Sequence, residues 1–155
     1  VYLRFGRPKL PVFYKDNAPF EIGKAQKLMV GDDITIIATG YMVWEAIQAG
    51  LILRDQGIHA DVINMHTIKP LDSKAIVESA SRTGLVVTAE EHQRWGGLGG
   101  SVAQVLAEHH PTQMSMVAVD DRFGESGTPK QLMEKYGLTA DVIVARSLEL
   151  IAQKK

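Results

Sequence analysis

No cysteine occurs among the 155 residues. Disulfides and thiolate chemistry are therefore excluded, and the composition suits a reducing compartment. Neither sign of charge is in excess. Seventeen Lys and Arg stand against 18 Asp and Glu, for a formal net charge of −1, which offers no field to nucleic acid or to an anionic membrane. No uninterrupted apolar run approaches the ~20 residues that a membrane-spanning helix requires. No charged segment precedes an apolar one near Val1, so no signal peptide is read, and the missing initiator methionine suggests an excised segment. The five histidines include no HExxH pattern and no short His-x-His pair, so no metal site is expected. Internal repeats and low-complexity tracts are absent as well. At 45% apolar content the chain can bury a single core. The expectation is one soluble, cytoplasmic, globular domain.

The residues that are present alternate between two periods. Val1, Leu3 and Phe5 interleave with Tyr2 and Arg4 as in a strand, and Gly6, Pro8 and Pro11 then break the pattern. A lone strand before a proline-punctuated connector has nothing local to pair with. Residues 1–20 are accordingly read as the end of a preceding domain plus a linker, and 21–155 as the domain proper; an edge or swapped strand of this same domain is the other reading.

Further strands are predicted at Lys27 to Val30, Ile34 to Thr39, Ala60 to Asn64, Leu85 to Glu90 and Met114 to Val119. The run from Ile34 is almost continuously β-branched, as expected of a strand covered on both faces. Val43, Ala46, Ile47 and Gly50 fall at i, i+3, i+4 and i+7 of a helix closed by Gly57. Asp72 caps a second helix that ends before Gly84, with Ile76, Val77 and Ala80 inward. Val102, Val105, Leu106 and His109 share one face of a third, and His109-His110 suit its C-terminus. Thr128-Pro129-Lys130-Gln131 has the form of a capping box with a first-turn proline, and Gly137 closes that helix. Thr139 caps the last, with Val144, Leu148 and Ile151 as its inner face.

Helical crossovers between strands require a mostly parallel sheet with helices on both sides. The expected fold is a three-layer α/β/α sandwich with a five-stranded, mostly parallel sheet. Its first strand is joined to the second by only Gly31-Asp32-Asp33, and should be antiparallel to it if the two pair.

Chemistry concentrates at residues 87–100, where a core strand runs through Glu90, Glu91 and His92 into Gly96-Gly97-Leu98-Gly99-Gly100 at the head of a helix. That edge of a parallel sheet is where function usually sits, and a helix N-terminus attracts anions. The dinucleotide fingerprint is incomplete, because Val102 stands where its third glycine should be. The alternative is that Gly96, Gly97, Gly99 and Gly100 serve a close backbone approach at a helix or subunit contact. Glu90, Glu91 and His92 are read as ordering the following loop or meeting a neighbouring domain, since adjacent strand residues cannot all converge. Ser126, in Gly124-Glu125-Ser126-Gly127, lacks the setting of a nucleophile elbow. Gly31-Asp32-Asp33 with Asn64 is read as turn chemistry rather than a diphosphate and metal motif.

Together with Ala38-Thr39-Gly40, Thr67-Ile68-Lys69-Pro70-Leu71-Asp72 and Gly124-Glu125-Ser126-Gly127, the stretch from Val87 to Gly100 resembles the C-terminal domain of transketolases, and the resemblance runs the length of the chain. It implies a domain of this architecture with one antiparallel strand. It also implies a whole enzyme that transfers a two-carbon ketol unit between phosphorylated sugars in the pentose phosphate pathway, using thiamine diphosphate and a divalent metal (Mg) held mainly by domains outside this chain. The implied partners are N-terminal and pyrimidine-binding domains or a subunit bearing them, in a homodimer. In such enzymes an arginine at the corresponding end of the pyrimidine-binding domain holds the sugar phosphate. Arg7, in Phe5-Gly6-Arg7-Pro8, matches it best and Arg4 next; ordinary surface charge is the alternative for both. No catalytic residue is assigned within the chain, which is expected to be inactive alone and to support dimer and domain assembly. Deoxyxylulose-phosphate synthase, the β-subunits of 2-oxoacid dehydrogenases, and a free-standing interaction or regulatory domain remain as alternatives.

Overall fold

The computed structural model describes residues 1–3, 11–14 and 17–154. Ten elements follow one another as β1 (Gln26–Met29), β2 (Ile34–Ala38), α1 (Met42–Asp55), β3 (Ala60–Asn64), α2 (Ser73–Thr83), β4 (Leu85–Gln93), α3 (Leu98–His109), β5 (Gln113–Val119), α4 (Pro129–Tyr136) and α5 (Ala140–Gln153). One five-stranded sheet has the order β1-β3-β2-β4-β5. All neighbours are parallel except β1, which runs antiparallel to β3. The strand expected at the beginning of the chain is not seen where it can be examined: Val1 to Leu3 are exposed and lie in no element, and Arg4 to Leu10 fall outside the described residues.

Alternation along the central strands builds two cores. Ile34, Ile36 and Ala38 of β2 face α1, α4 and α5, where they meet Met42, Ala46, Leu53, Met133, Ile143 and Leu150. Ile37 points to the other side, with Ile63, Val86, Ile76 of α2, and Leu98, Val102 and Leu106 of α3. A strand with apolar neighbours on both faces must be apolar at successive positions, which explains the unbroken Ile-Thr-Ile-Ile run.

The first strand does not pair with its successor. The α1 crossover brings β3 in beside β2, and β1 takes the free edge of β3, Gln26 opposite Asn64. Two glycines make this possible. A Cβ on Gly31 would collide with the His59 carbonyl, and one on Gly50 of α1 would sit 2.7 Å from Met29 Sδ of β1.

Helix boundaries follow the local signals. Asp72 accepts from Ala75 N at 3.1 Å, Gly84 ends α2 in the left-handed conformation, and Thr128 with Gln131 forms the capping box of α4. The buried face of α5 is Ile143, Val144, Ser147 and Leu150, with Leu148 and Ile151 at its margins rather than its centre.

A buried ionic network at the amino ends of the parallel strands was not legible beforehand. Asp61 of β3 is 0% exposed. Its carboxylate meets the Arg82 guanidinium, the Ser79 hydroxyl and, at 3.6 Å, Lys27 Nζ. Thr35 joins Ser79 at 2.7 Å and Thr83 at 2.8 Å, fastening the end of α2 to β2. Removing one partner of a buried pair strands a charge, at a cost of about 3–5 kcal/mol. Arg82→Ala should therefore lower the urea midpoint by an amount equivalent to about 3 kcal/mol. A loss below about 1 kcal/mol, the scale of a surface pair, would mean that Ser79 and Lys27 suffice for Asp61.

Candidate functional site

The carboxyl ends of β2 to β5 form one edge of the molecule, and antiparallel β1 begins there. Glu90, 1% exposed near the end of β4, turns its carboxylate onto the first turn of α3. Leu98 N donates to Oε2 at 2.7 Å and Gly99 N to Oε1 at 2.8 Å. The first N–H groups of a helix have no partner within it and carry partial positive charge, so a carboxylate there satisfies donors and dipole together. Gly97, the N-cap residue, has no side chain with which to do so.

This arrangement accounts for the glycines one by one. A Cβ on Gly97 would overlap the Glu90 carboxylate, and one on Gly99 would lie 2.8 Å from Met116 Sδ and 3.0 Å from Thr88 Oγ1. Gly96 supplies a left-handed turn with φ +81°, whereas Gly100 faces open space. Close approach, not positive φ, is what requires glycine at 97 and 99. The anion position at the head of α3 is thus filled by the chain's own carboxylate, so a phosphate reading of this loop is superseded. Glu91 and His92 are exposed; the His92 ring nitrogen Nδ1 bonds the Gln93 carbonyl at 2.9 Å and stands 3.9 Å from Glu90 Oε2. The structure therefore joins Glu90 to Gly97 and Gly99 and leaves Glu91 and Gly100 aside. Arg4 and Arg7 lie outside the described residues.

Two loops at this edge are braced together by residues the sequence did not single out. Gln93 Oε1 accepts from Arg94 N and Asp121 N, both at 2.9 Å, and Arg94 Nε lies 2.6 Å from Asp120 Oδ1. Their only signal beforehand was position at the ends of β4 and β5. The segment leading into β1 is fastened at the same edge. Tyr14 Oη accepts from Asn64 Nδ2 at 2.6 Å, Phe20 lies on the His66 ring with centroids 4.4 Å apart, and Asp72 accepts from Ala25 N at 2.9 Å. Thr67 to Asp72 thus ties this segment to α2.

Gly31-Asp32-Asp33 lies at the opposite edge from Asn64. Asp32 Oδ1 is 2.9 Å from Arg82 Nε, and Asp33 accepts from His59 N at 2.7 Å. Both carboxylates serve the turn.

An antiparallel edge strand on a four-stranded parallel sheet, helices on both faces and a carboxylate-capped glycine turn after β4 define the class of domain. The sequence matches the family described as transketolase, C-terminal domain, over residues 23–143, and the chain belongs to that family. It is 46% identical over 154 residues to the 6-deoxy-6-sulfo-D-fructose transketolase subunit SqwH of Clostridium sp. (strain MSTE9), covering 99% of this chain and 48% of that protein. With an apulose-4-phosphate transketolase subunit of Phocaeicola vulgatus it shares 41% identity over 152 residues, 97% of this chain and 48% of the relative. A solved structure described as a split gene transketolase, inactive beta4 tetramer, superposes with a TM-score of 0.90 at 45% identity, covering 94% of this chain and 48% of that one. The chain spans about half the length of these relatives.

Gly97→Ala should destabilise the chain by about 1–3 kcal/mol, since it forces Glu90 off two buried N–H groups. Gly100→Ala, inside α3 and unobstructed, should instead be neutral or stabilising by up to about 1 kcal/mol. Paired thermal melts check this, and equal midpoints for the two variants would contradict the Glu90 cap.

Proposed function

We propose that the complete protein is a transketolase that moves a two-carbon ketol unit between phosphorylated sugars, and that this chain is its joining domain rather than its catalytic centre. The observation that carries the reading is the 46% identity across 99% of the chain to one half of a transketolase subunit. The proposal extends to a cytoplasmic enzyme of the pentose phosphate pathway acting as a homodimer of complete units. Residues 1–20 are proposed to be the end of a pyrimidine-binding domain with its linker.

The family implies thiamine diphosphate in the complete enzyme, but the described residues of this chain do not fit it. The glycine turn that could cradle a diphosphate is closed by Glu90, and Asp32 and Asp33 are committed to Arg82 and His59. Cofactor and magnesium are therefore assigned to residues outside this chain. The tetramer of the split-gene relative, inactive by its description, supports inactivity of this chain in isolation. Assay of the complete protein with thiamine diphosphate, magnesium and phosphorylated sugars tests the reading; turnover by the 155-residue chain alone would overturn it.

Within that enzyme, Arg7 is assigned to the substrate phosphate, because a guanidinium fork holds a phosphate through two parallel bonds that lysine does not reproduce. Arg7→Ala should raise KM for phosphorylated sugars by roughly tenfold to a hundredfold, from a lost charged contact of about 1.5–3 kcal/mol. Unphosphorylated acceptors should be nearly unaffected. Equal losses for both substrate types would make Arg7 structural, and a phosphate-selective defect in Arg4→Ala alone would transfer the role to Arg4.

A further inference from the structure

Several of the large exposed apolar side chains gather on one edge. Phe20, Ile22, Ile68, Trp95 and Phe123 all belong to segments at the carboxyl edge of the sheet: the approach to β1 and the loops after β3, β4 and β5. Trp95 is 71% and Phe123 98% exposed. An aromatic ring held in water is unremarkable on a loose loop, but these loops are built.

The Gln93 side chain and the Arg94–Asp120 pair join one to the other. Beyond them, Arg122 lies 5.9 Å from the centre of the Tyr136 ring, Tyr136 Oη donates to the Phe123 carbonyl at 3.3 Å, and Glu125 pairs with Lys135. Every charged side chain from Asp120 to Glu125 thus has a partner inside the molecule, Asp121 through Gln93 Nε2 at 3.3 Å. The ring of Phe123 is left facing outward on a braced frame. Rigid, presented aromatics surrounded by satisfied polar groups are the anatomy of an interface centre.

We infer that Trp95 and Phe123 form the docking surface for the preceding half of the same subunit. The inference rests on the proposal that the complete protein carries such a half, and two observations select that occupant. The chain spans only 48% of the two transketolase subunits it matches, which leaves a body of similar length to be accommodated. Because β1 is antiparallel, the segment leading into it reaches the molecule at this edge, where Tyr14 bonds Asn64 and Phe20 covers His66. A body tethered there meets Trp95 and Phe123 at high effective concentration without any search.

Acrylamide quenching of Trp95 tests this, with its signal taken as the difference between each protein and its Trp95→Phe variant. The expected result is quenching several-fold weaker in the complete subunit than in the 155-residue chain. Phe123→Ser in the complete subunit should restore strong quenching, while leaving the melting point of the 155-residue chain unchanged. Equal quenching in both proteins would overturn the inference. Protection in the short chain that rises with its concentration would overturn it in favour of a second copy, and protection that arises only when another subunit is added would do so in favour of that subunit. Quenching is read without ketol transfer, so absent turnover alongside protected Trp95 would count against the proposed activity and not against this surface.

Discussion

The place at which the connector reaches this domain depends on one pairing, that of β1 with β3 in the antiparallel sense. A parallel first strand would have brought the connector in at the amino ends of the strands, beside Asp61 and Arg82. Because Gln26 stands opposite Asn64, the connector arrives instead where β2 to β5 end. The pairing is permitted by small residues: Gly31 lets the turn pass the His59 carbonyl, and Gly50 lets Met29 of β1 lie against α1. A Cβ at position 31 would overlap the His59 carbonyl, and one at position 50 would crowd Met29 and Val62.

Two buried carboxylates mark the two ends of the sheet, and each is held in a different way. Asp61 meets side chains, and so draws α2 onto β2 and β3 through Arg82, Ser79 and Thr35. Glu90 meets backbone N–H groups, and so fixes the register of α3 against β4. Charge buried without such partners would be costly. The difference matters for function. A helix N-terminus occupied by the protein's own carboxylate cannot also receive a phosphate, which is why a glycine-rich turn that invites a ligand serves architecture here.

With the anion position filled, the carboxyl edge still presents the exposed rings of Trp95 and Phe123. Bracing between the loops after β4 and β5 uses polar side chains that would otherwise be free to bind a small ligand, and leaves aromatic rings uncovered. The two transketolase subunits this chain matches are about twice its length.

The sequence by itself determined the elements and the class of fold. Strand alternation, Asp72, Thr128 and Thr139 as caps, and Gly57, Gly84 and Gly137 as stops are local signals, each set by the backbone within a few residues. Both-face burial of Ile34 to Ala38 was legible for the same reason, because a covered strand shows it in its composition. The family was legible in short motifs such as Thr67 to Asp72. What only the tertiary structure decided depends on residues distant along the chain: that β1 lies beside β3 and not β2, that Glu90 rather than a ligand caps α3, and that Asp61 finds Arg82. Gly97 and Gly99 looked alike in sequence to Gly96 and Gly100. Only the packed neighbours, Glu90 for one and Met116 with Thr88 for the other, separate glycines required by contact from one required by its turn and one left free. Proximity across the fold is a property of packing, and no local pattern encodes it.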